Sequence, residues 1–305
     1  MEEKNIYATV SEIERCTTVD GPGIRTIVFL KGCPLHCMWC HNPEDIAPQV
    51  QVGWEQQKCI GCFKCLPACS NNAIAASQKG IITDYNKCRS CGQCVEKCPS
   101  TARKMYGKRK TVSQVFDEVI RDKSFFEKTN GGLTVSGGEP LAQPMFTKEL
   151  FRLCRSEGIH TALDTSGYAS REVLEDVLQE TDLVLLDLKQ ADAELHKRYT
   201  GVDPALIYAN LERINERGVP TWIRTPIVPG YTDQEENITS IAKLLTKTNC
   251  VVKWELLPYH SFGEKKYKEL QIAYQLQSVK RPTDEKMKSL RDIANNYCGT
   301  RILVR

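Results

Sequence analysis

Eleven cysteines crowd into residues 33–98, and this clustering constrains the fold more tightly than any other feature of the chain. The whole chain has 305 residues and fifteen cysteines, an odd number. Its start, MEEKNIYATV, lacks a basic stretch followed by an apolar one, so no secretory signal is expected. A cytoplasmic chain keeps its thiols reduced, and disulfides are therefore not the expected use of these residues. Metal ligation is. The four cysteines outside the crowd, Cys16, Cys154, Cys250 and Cys298, read as small buried hydrophobes.

Two of the three groups share one spacing: Cys59-x2-Cys62-x2-Cys65-x3-Cys69 and Cys88-x2-Cys91-x2-Cys94-x3-Cys98, the latter followed by Pro99 where the former has Ser70. This is the bacterial ferredoxin spacing for two [4Fe–4S] clusters, in which the fourth cysteine of each run serves the other cluster. The expected ligand sets are Cys59, Cys62, Cys65 and Cys98 for one cluster, and Cys88, Cys91, Cys94 and Cys69 for the other. The competing reading is a pair of structural zincs, which usually join two close ligands to two distant ones.

The first group is Cys33-x3-Cys37-x2-Cys40, within KGCPLHCMWCHNPE. Three thiolates leave one iron of a four-iron cluster without a protein ligand, and an open metal position marks a reactive site. A three-cysteine zinc site completed by His36 or His41 is the alternative.

The rest of the chain excludes several classes. A hydrophobic fraction of 41% and a charged fraction of 26% are those of a globular protein. A net charge of +3 gives no argument for nucleic acid. No run approaches the roughly 18 apolar residues of a membrane span. Outside 52–106 strand and helix patterns alternate. Strands are expected at 25–30, 133–135, 160–164, 183–188, 221–225, 251–256 and 301–304. Helices are expected from an N-cap at Thr111, through 146–153, and over 171–180, 206–217, 236–247 and 284–296. Repeated βα units mean a parallel sheet covered by helices. About six units fit, fewer than the eight of a closed barrel. The expected architecture is α/β: a partial (β/α)6 barrel over 1–51 and 107–305, with a bacterial-ferredoxin-like domain inserted at 52–106.

Sites in such folds sit at the C-terminal ends of the strands. Residues 33–40, 136–139, 164–166, 187–189 and 224–226 all end or follow a candidate strand, so they should meet at one mouth. Gly137, Gly138 and Glu139 offer backbone and a carboxylate to an ammonium group, or form only a glycine turn. Asp164, Thr165, Asp187 and Lys189 suit a ribose, a cation or a carboxylate, or form a structural ion pair. Arg224 suits a carboxylate or sugar. His260, read alone, is a rim histidine. No nucleophile elbow, Walker A loop or G-x-G-x-x-G fingerprint occurs, so acyl transfer, nucleotide hydrolysis and Rossmann binding have no support.

Taken together, these motifs resemble a known family. Cys33-x3-Cys37-x2-Cys40 is similar to the signature of radical S-adenosylmethionine enzymes. Asp20-Gly-Pro-Gly-Ile-Arg25 and WCHNPE around it resemble the activating enzymes of glycyl radical enzymes. SGGEP at 136–140, LDTSGY at 163–168, LLDLKQ at 185–190, His196…Tyr199-Thr-Gly201-Val and LLPYH at 256–260 resemble pyruvate formate-lyase activating enzyme, which lacks the 52–106 segment. Activases of other glycyl radical enzymes carry it. The resemblance implies three [4Fe–4S] clusters and S-adenosylmethionine, chelated by the open iron. One electron would split it into methionine and a 5′-deoxyadenosyl radical, which takes hydrogen from a backbone glycine of the partner. It further implies that Gly137, Gly138 and Glu139 contact the methionine end, that Asp164, Thr165 and Asp187 hold a monovalent cation, and that Lys189, Arg224 and His260 adjoin the cofactor. Asp20 would meet the partner's glycine loop. A flavodoxin or ferredoxin donor and a monomer are implied as well, with the two further clusters acting as an electron relay or as a structural or docking element. The remaining alternatives are another radical S-adenosylmethionine enzyme with auxiliary clusters, of the sulfatase-maturing type, and a non-enzymatic electron carrier.

Overall fold

The computed structural model describes residues 6–78 and 80–305; residues 1–5, part of the stretch read for a targeting signal, lie outside it, as does Lys79. In chain order its strands are β1 (Tyr7–Thr17), β2 (Arg25–Leu30), β3 (Gln51–Trp54), β4 (Ile74–Ser77), β5 (Gly80–Thr83), β6 (Arg103–Tyr106), β7 (Lys108–Thr111), β8 (Gly132–Gly137), β9 (His160–Thr165), β10 (Leu183–Asp187), β11 (Thr221–Ile227), β12 (Val251–Pro258) and β13 (Leu303–Val304). Nine of them form one sheet in the order β13-β12-β11-β10-β9-β8-β2-β1-β7. From β2 to β13 every neighbouring pair is parallel; β1 runs antiparallel to both β2 and β7. The result is an α/β fold on a mostly parallel sheet, open at β13 and β7.

The parallel strands are apolar because both faces are covered. Ile27, Val28, Leu133, Val135, Val184 and Leu186 are completely buried. Each parallel step needs a crossover, supplied here by helices. Pro144–Ser156 links β8 to β9, Arg171–Leu178 links β9 to β10, and Glu235–Leu245 links β11 to β12. Their apolar stripes point inward: Phe146, Leu150, Phe151 and Cys154 of the first are buried. The Thr111 N-cap forms as expected, as a full capping box with Gln114. Among the described residues no helix is long and apolar enough to cross a membrane.

The antiparallel margin, β1 and β7, was not expected. β1 reads YATVSEIERCT, polar along much of its length, and its register slips twice, between Val10 and Glu12 and between Glu14 and Thr17. A bulged strand near a sheet edge need not alternate cleanly. β7, KRKT, is an edge strand with no apolar residue. The helix Ala193–Thr200 was also missed, since only its N-cap Asp192 and Gly201 stop mark it.

Residues 51–106 make two small antiparallel pairs of their own, β3 with β6 and β4 with β5. Val52, Trp54, Ile74, Ile81 and Ala102 form a separate small core there. One residue grips this segment from the body of the chain. Gln271, itself in the left-handed region at φ +57°, accepts from Thr83 N at 2.8 Å and donates to Ile81 O at 2.9 Å. Lys104 pairs with the buried Glu269 at 2.5 Å, and Lys265 with Glu55 at 2.6 Å. Removing a hydrogen bond costs about 1 kcal/mol. Gln271→Ala is therefore expected to raise amide hydrogen exchange at residues 80–83 by roughly an order of magnitude, leaving β8–β10 unchanged.

Candidate active site

Ten of the side chains and backbones singled out in the sequence line one cavity of about 250 Å³: Cys33, Cys37, Cys40, Gly137, Gly138, Asp164, Thr165, Asp187, Lys189 and Arg224. They meet because β8, β9, β10 and β11 are parallel and in register, so their ends lie side by side. Ser136, Ser166, Trp39 and His41 complete much of the wall. The two serines stand inside motifs read from the sequence but were passed over there in favour of their charged neighbours.

The cysteine loop is held by backbone. Gly32 N donates to Asp45 O at 2.7 Å, Cys33 N to Ile46 O at 3.0 Å and Glu139 N to Gly32 O at 2.7 Å. On its other side His36 N donates to Thr200 O at 2.7 Å and Met38 N to Tyr199 O at 3.0 Å. The Tyr199-Thr-Gly201 segment is thus a buttress for the loop. Trp39 packs into an aromatic cluster with Tyr199, Tyr259, Tyr267 and Tyr274. Lys31, wholly buried, donates to Glu44 O and so braces the return of the loop.

This loop explains the glycines. A Cβ on Gly138 would stand 2.4 Å from Asp45 O and 2.6 Å from Gly32 O. Gly137 has φ +115°, and its Cβ would meet Leu30 N and O at 2.3 Å. Gly138 therefore permits the end of β8 to touch the cysteine loop and Gly137 its close approach to the end of β2, besides presenting backbone to the cavity.

Glu139 is placed beneath the cavity and does not line it. It is 1% exposed, and its carboxylate accepts from Leu141 N at 3.0 Å, Thr165 Oγ1 at 2.6 Å, Ser166 N at 2.8 Å and Ser166 Oγ at 2.5 Å. Burial raises its pKa, against which those donors work. His260 also stands apart from the cavity wall: it is exposed and stacks edge-on against His41, ring centroids 4.2 Å apart. His41 bridges the two, with its pKa lowered to about 4 by burial and then by His260.

The charged groups form one network. Arg224 reaches Asp20, Asp164 at 3.1 Å and Glu255 at 3.4 Å, while Lys189 pairs with Asp187. Asp20 is drawn to the mouth by this arginine, with φ +60°. Asp164 accepts also from Ser136 Oγ at 2.6 Å. Burial raises its pKa to about 7 despite Arg224, since Asp20 and Asp187 add like charge. Asp164, Thr165 and Asp187 are each already engaged, and among the described residues no group of three His, Cys, Asp or Glu stands close enough to hold a single metal ion.

The other eight grouped cysteines border two smaller cavities. Cys59, Cys62, Cys65 and Cys98 line one; Cys69, Cys88, Cys91 and Cys94 line the other. The fourth cysteine of each run thus stands with the other run's first three. All fifteen cysteines are free thiols.

Comparison with known proteins decides the family. Residues 27–241 match the Radical SAM superfamily. The isethionate sulfite-lyase activating enzyme of Oleidesulfovibrio alaskensis is 41% identical over 87% of this chain and 88% of its own. The trans-4-hydroxy-L-proline dehydratase activating enzyme of Clostridioides difficile is 39% identical over 94% and 97%. Streptococcus suis SuiB bound to its precursor peptide SuiA shares the fold alone, with a TM-score of 0.54 and 14% identity over 92% of this chain and 48% of that one. This chain is a radical SAM activating enzyme of the glycyl-radical-enzyme type.

A radical SAM enzyme needs one [4Fe–4S] cluster and S-adenosylmethionine, and the cavity suits both chemically. Its three thiols are undisulfided and face one space. Burial pushes Cys40 up to about 12 and raises Cys33 and Cys37 too. Thiols that resist ionisation alone are deprotonated by a metal, with proton release on loading. The opposite wall offers backbone, hydroxyls and both charge signs, as a zwitterionic ligand requires.

Two outcomes follow for the radical SAM site. Gly138→Ala drives a methyl into the Asp45 and Gly32 carbonyls; iron bound at that site should fall several-fold, read by iron analysis against a Cys40→Ala control. For Asp164 the folded pKa lies above the unfolded one, so the folded state holds the extra proton between about pH 4 and 7. Its stabilising contribution is full at low pH and is lost as pH rises through about 7. Relative to Asp164→Asn, the wild-type apoprotein should lose stability across that window in urea unfolding and differ by a constant amount above it.

Proposed function

We propose that this chain activates a partner glycyl radical enzyme by reductive cleavage of S-adenosylmethionine and removal of one hydrogen atom from a backbone glycine. The observation that carries the reading is the single cavity joining Cys33, Cys37 and Cys40 to the ends of β8–β11. A reduced cluster and S-adenosylmethionine bound there would supply the radical chemistry that removes the glycine hydrogen, with 5′-deoxyadenosine, methionine and a glycyl radical as products.

The chain's residues do the orienting. Cys33, Cys37 and Cys40 are the three thiols that would hold the cluster. Gly137 and Gly138 present backbone to the methionine end, and Glu139 acts from below by fixing Thr165 and Ser166. Lys189 is placed for the carboxylate; burial works against its charge, and Asp187 and Cys37 keep it protonated. Asp164, Thr165 and Asp187 are the candidate ligands of a monovalent cation, which must displace an existing ion pair to enter. His260 is reached through His41. Asp20, tied to Arg224 at the rim, is where an extended glycine loop would enter.

The main sheet is read as the open side of a partial (β/α)6 barrel spanning 1–51 and 107–305, and 52–106 as a ferredoxin-like domain with two further [4Fe–4S] clusters. The grouping of its cysteines around two cavities supports this. The donor is a flavodoxin or ferredoxin, and the enzyme works in a reducing cytoplasm as a monomer that docks transiently. Relatives at 37–41% identity are named as activating enzymes of isethionate sulfite-lyase, trans-4-hydroxy-L-proline dehydratase, (2S)-3-sulfopropanediol dehydratase and choline trimethylamine-lyase, which supports a partner of this kind.

Anaerobically reconstituted and reduced enzyme should form 5′-deoxyadenosine from S-adenosylmethionine, and Cys40→Ala should form none above background. With glycyl radical enzymes of those classes, one should gain a persistent glycyl signal by electron paramagnetic resonance. A fully iron-loaded wild type that forms no 5′-deoxyadenosine, alone or with partners, would sink the proposal. Cleavage with a modified product and no persistent radical would shift it to the sulfatase-maturing type.

A further inference from the structure

Arg103 lies on β6 between the two cysteine cavities of the 51–106 segment and lines both. It is 2% exposed. Its Nη1 donates to Thr83 Oγ1 at 2.8 Å and its Nη2 to Cys94 Sγ at 3.6 Å, while Nε is buried without a partner. Among the described residues it makes no ion pair. An internal repeat shows how unusual the residue is. Cys69-Ser-Asn-Asn-Ala73-Ile74 and Cys98-Pro-Ser-Thr-Ala102-Arg103 are matching stretches of the two cysteine runs. The first half places a buried isoleucine where the second places a guanidinium. Burying a cation is costly unless full hydrogen bonding or a nearby negative charge compensates it, and Arg103, with its Nε unpartnered, lacks the former.

We propose that Arg103 is a positioning residue for electrons: it raises the reduction potentials of both clusters of the 52–106 segment by serving as their shared counter-charge. The inference rests on the two-cluster reading given above. Thiolate-ligated clusters are net negative, and an added electron deepens that charge. A fixed cation between them stabilises the reduced form of each. Its N–H groups, aimed at Cys94 Sγ and into both cavities, act in the same direction, because hydrogen bonds to sulfur and local charge set cluster potentials. The step is a one-electron transfer: a reduced flavodoxin- or ferredoxin-class donor loses one electron, a cluster gains it, and no bond forms or breaks. Arginine suits the place because it stays charged when buried and presents several donors in a fixed plane.

The test is a redox titration of the full, reconstituted chain followed by electron paramagnetic resonance, with the S-adenosylmethionine-responsive signal assigned to the Cys33–Cys37–Cys40 cluster and set aside. In Arg103→Leu and Arg103→Gln the reduction equilibrium of both other clusters should fall at least tenfold, about 59 mV for one electron; Arg103→Lys should recover most of the difference. Unchanged potentials in iron-replete Leu and Gln variants would overturn the proposal. Loss of iron from both neutral variants, with Arg and Lys loading equally and titrating alike, would replace it with a role in cluster assembly. Wild type with about four irons per chain instead of about twelve would remove the two-cluster reading itself, a different result from any obtained with the variants.

Discussion

Backbone hydrogen bonds to the 32–40 loop are the constraint on which the site depends. A short loop with three free thiols has many conformations, and side chains alone do not select one. Here Asp45, Ile46, Tyr199 and Thr200 accept from the loop's amides, while Glu139 N donates back to Gly32 O. The loop is therefore clamped between its own return at 45–46 and a helix end at 199–200. The same clamp demands glycine at 138, because the residue after the strand must touch the loop's main chain at Gly32 and Asp45. Motifs separated by more than a hundred residues are linked by this one packing requirement.

The charge at the cavity is finely shared. Asp20, Asp164, Asp187 and Glu255 share three cations, Arg224, Lys189 and Lys253. Carboxylates outnumber cations there by one, and burial raises the pKa of Asp164. A ligand bearing both an ammonium and a carboxylate enters such a network by exchanging partners within it, without leaving an isolated charge behind.

Much of this was legible in the residues. The strand RTIVFL is β2 end for end, and the expected strands at 160–164, 183–188 and 221–225 coincide with β9, β10 and β11 to within two residues. Apolar runs buried on both faces leave little ambiguity. The convergence of 33–40, 136–139, 164–166, 187–189 and 224–226 followed from parallel topology alone. What the residues concealed were features that depend on tertiary contact. β1 and β7 are too polar to announce a strand; β1 pairs because β2 offers an edge, and β7 because β1 then offers another. Glu139 reads as a ligand group in SGGEP, yet four donors from 141, 165 and 166 claim it. His260 follows a strand as expected, but its ring rests on His41 outside the cavity wall. No local pattern distinguishes a carboxylate that faces a cavity from one that supports its floor.

The root of the 51–106 segment has a consequence for how such chains diversify. β3 and β6 leave and return as neighbours, and Glu55 N donates to Ala102 O at 2.7 Å. Everything from 56 to 101 therefore hangs from a closed doorway. The nine-stranded sheet shares no ladder with it. Such a unit can be gained, shortened or lost over evolutionary time with a simple turn between 55 and 102 in its place. Lys265 and Glu269 would keep their partners, Glu55 and Lys104, which lie outside 56–101, whereas Gln271 would lose both of its own, Ile81 and Thr83. Gln271 is thus a seat in the body of the chain whose hydrogen bonds have meaning only while that passenger is aboard.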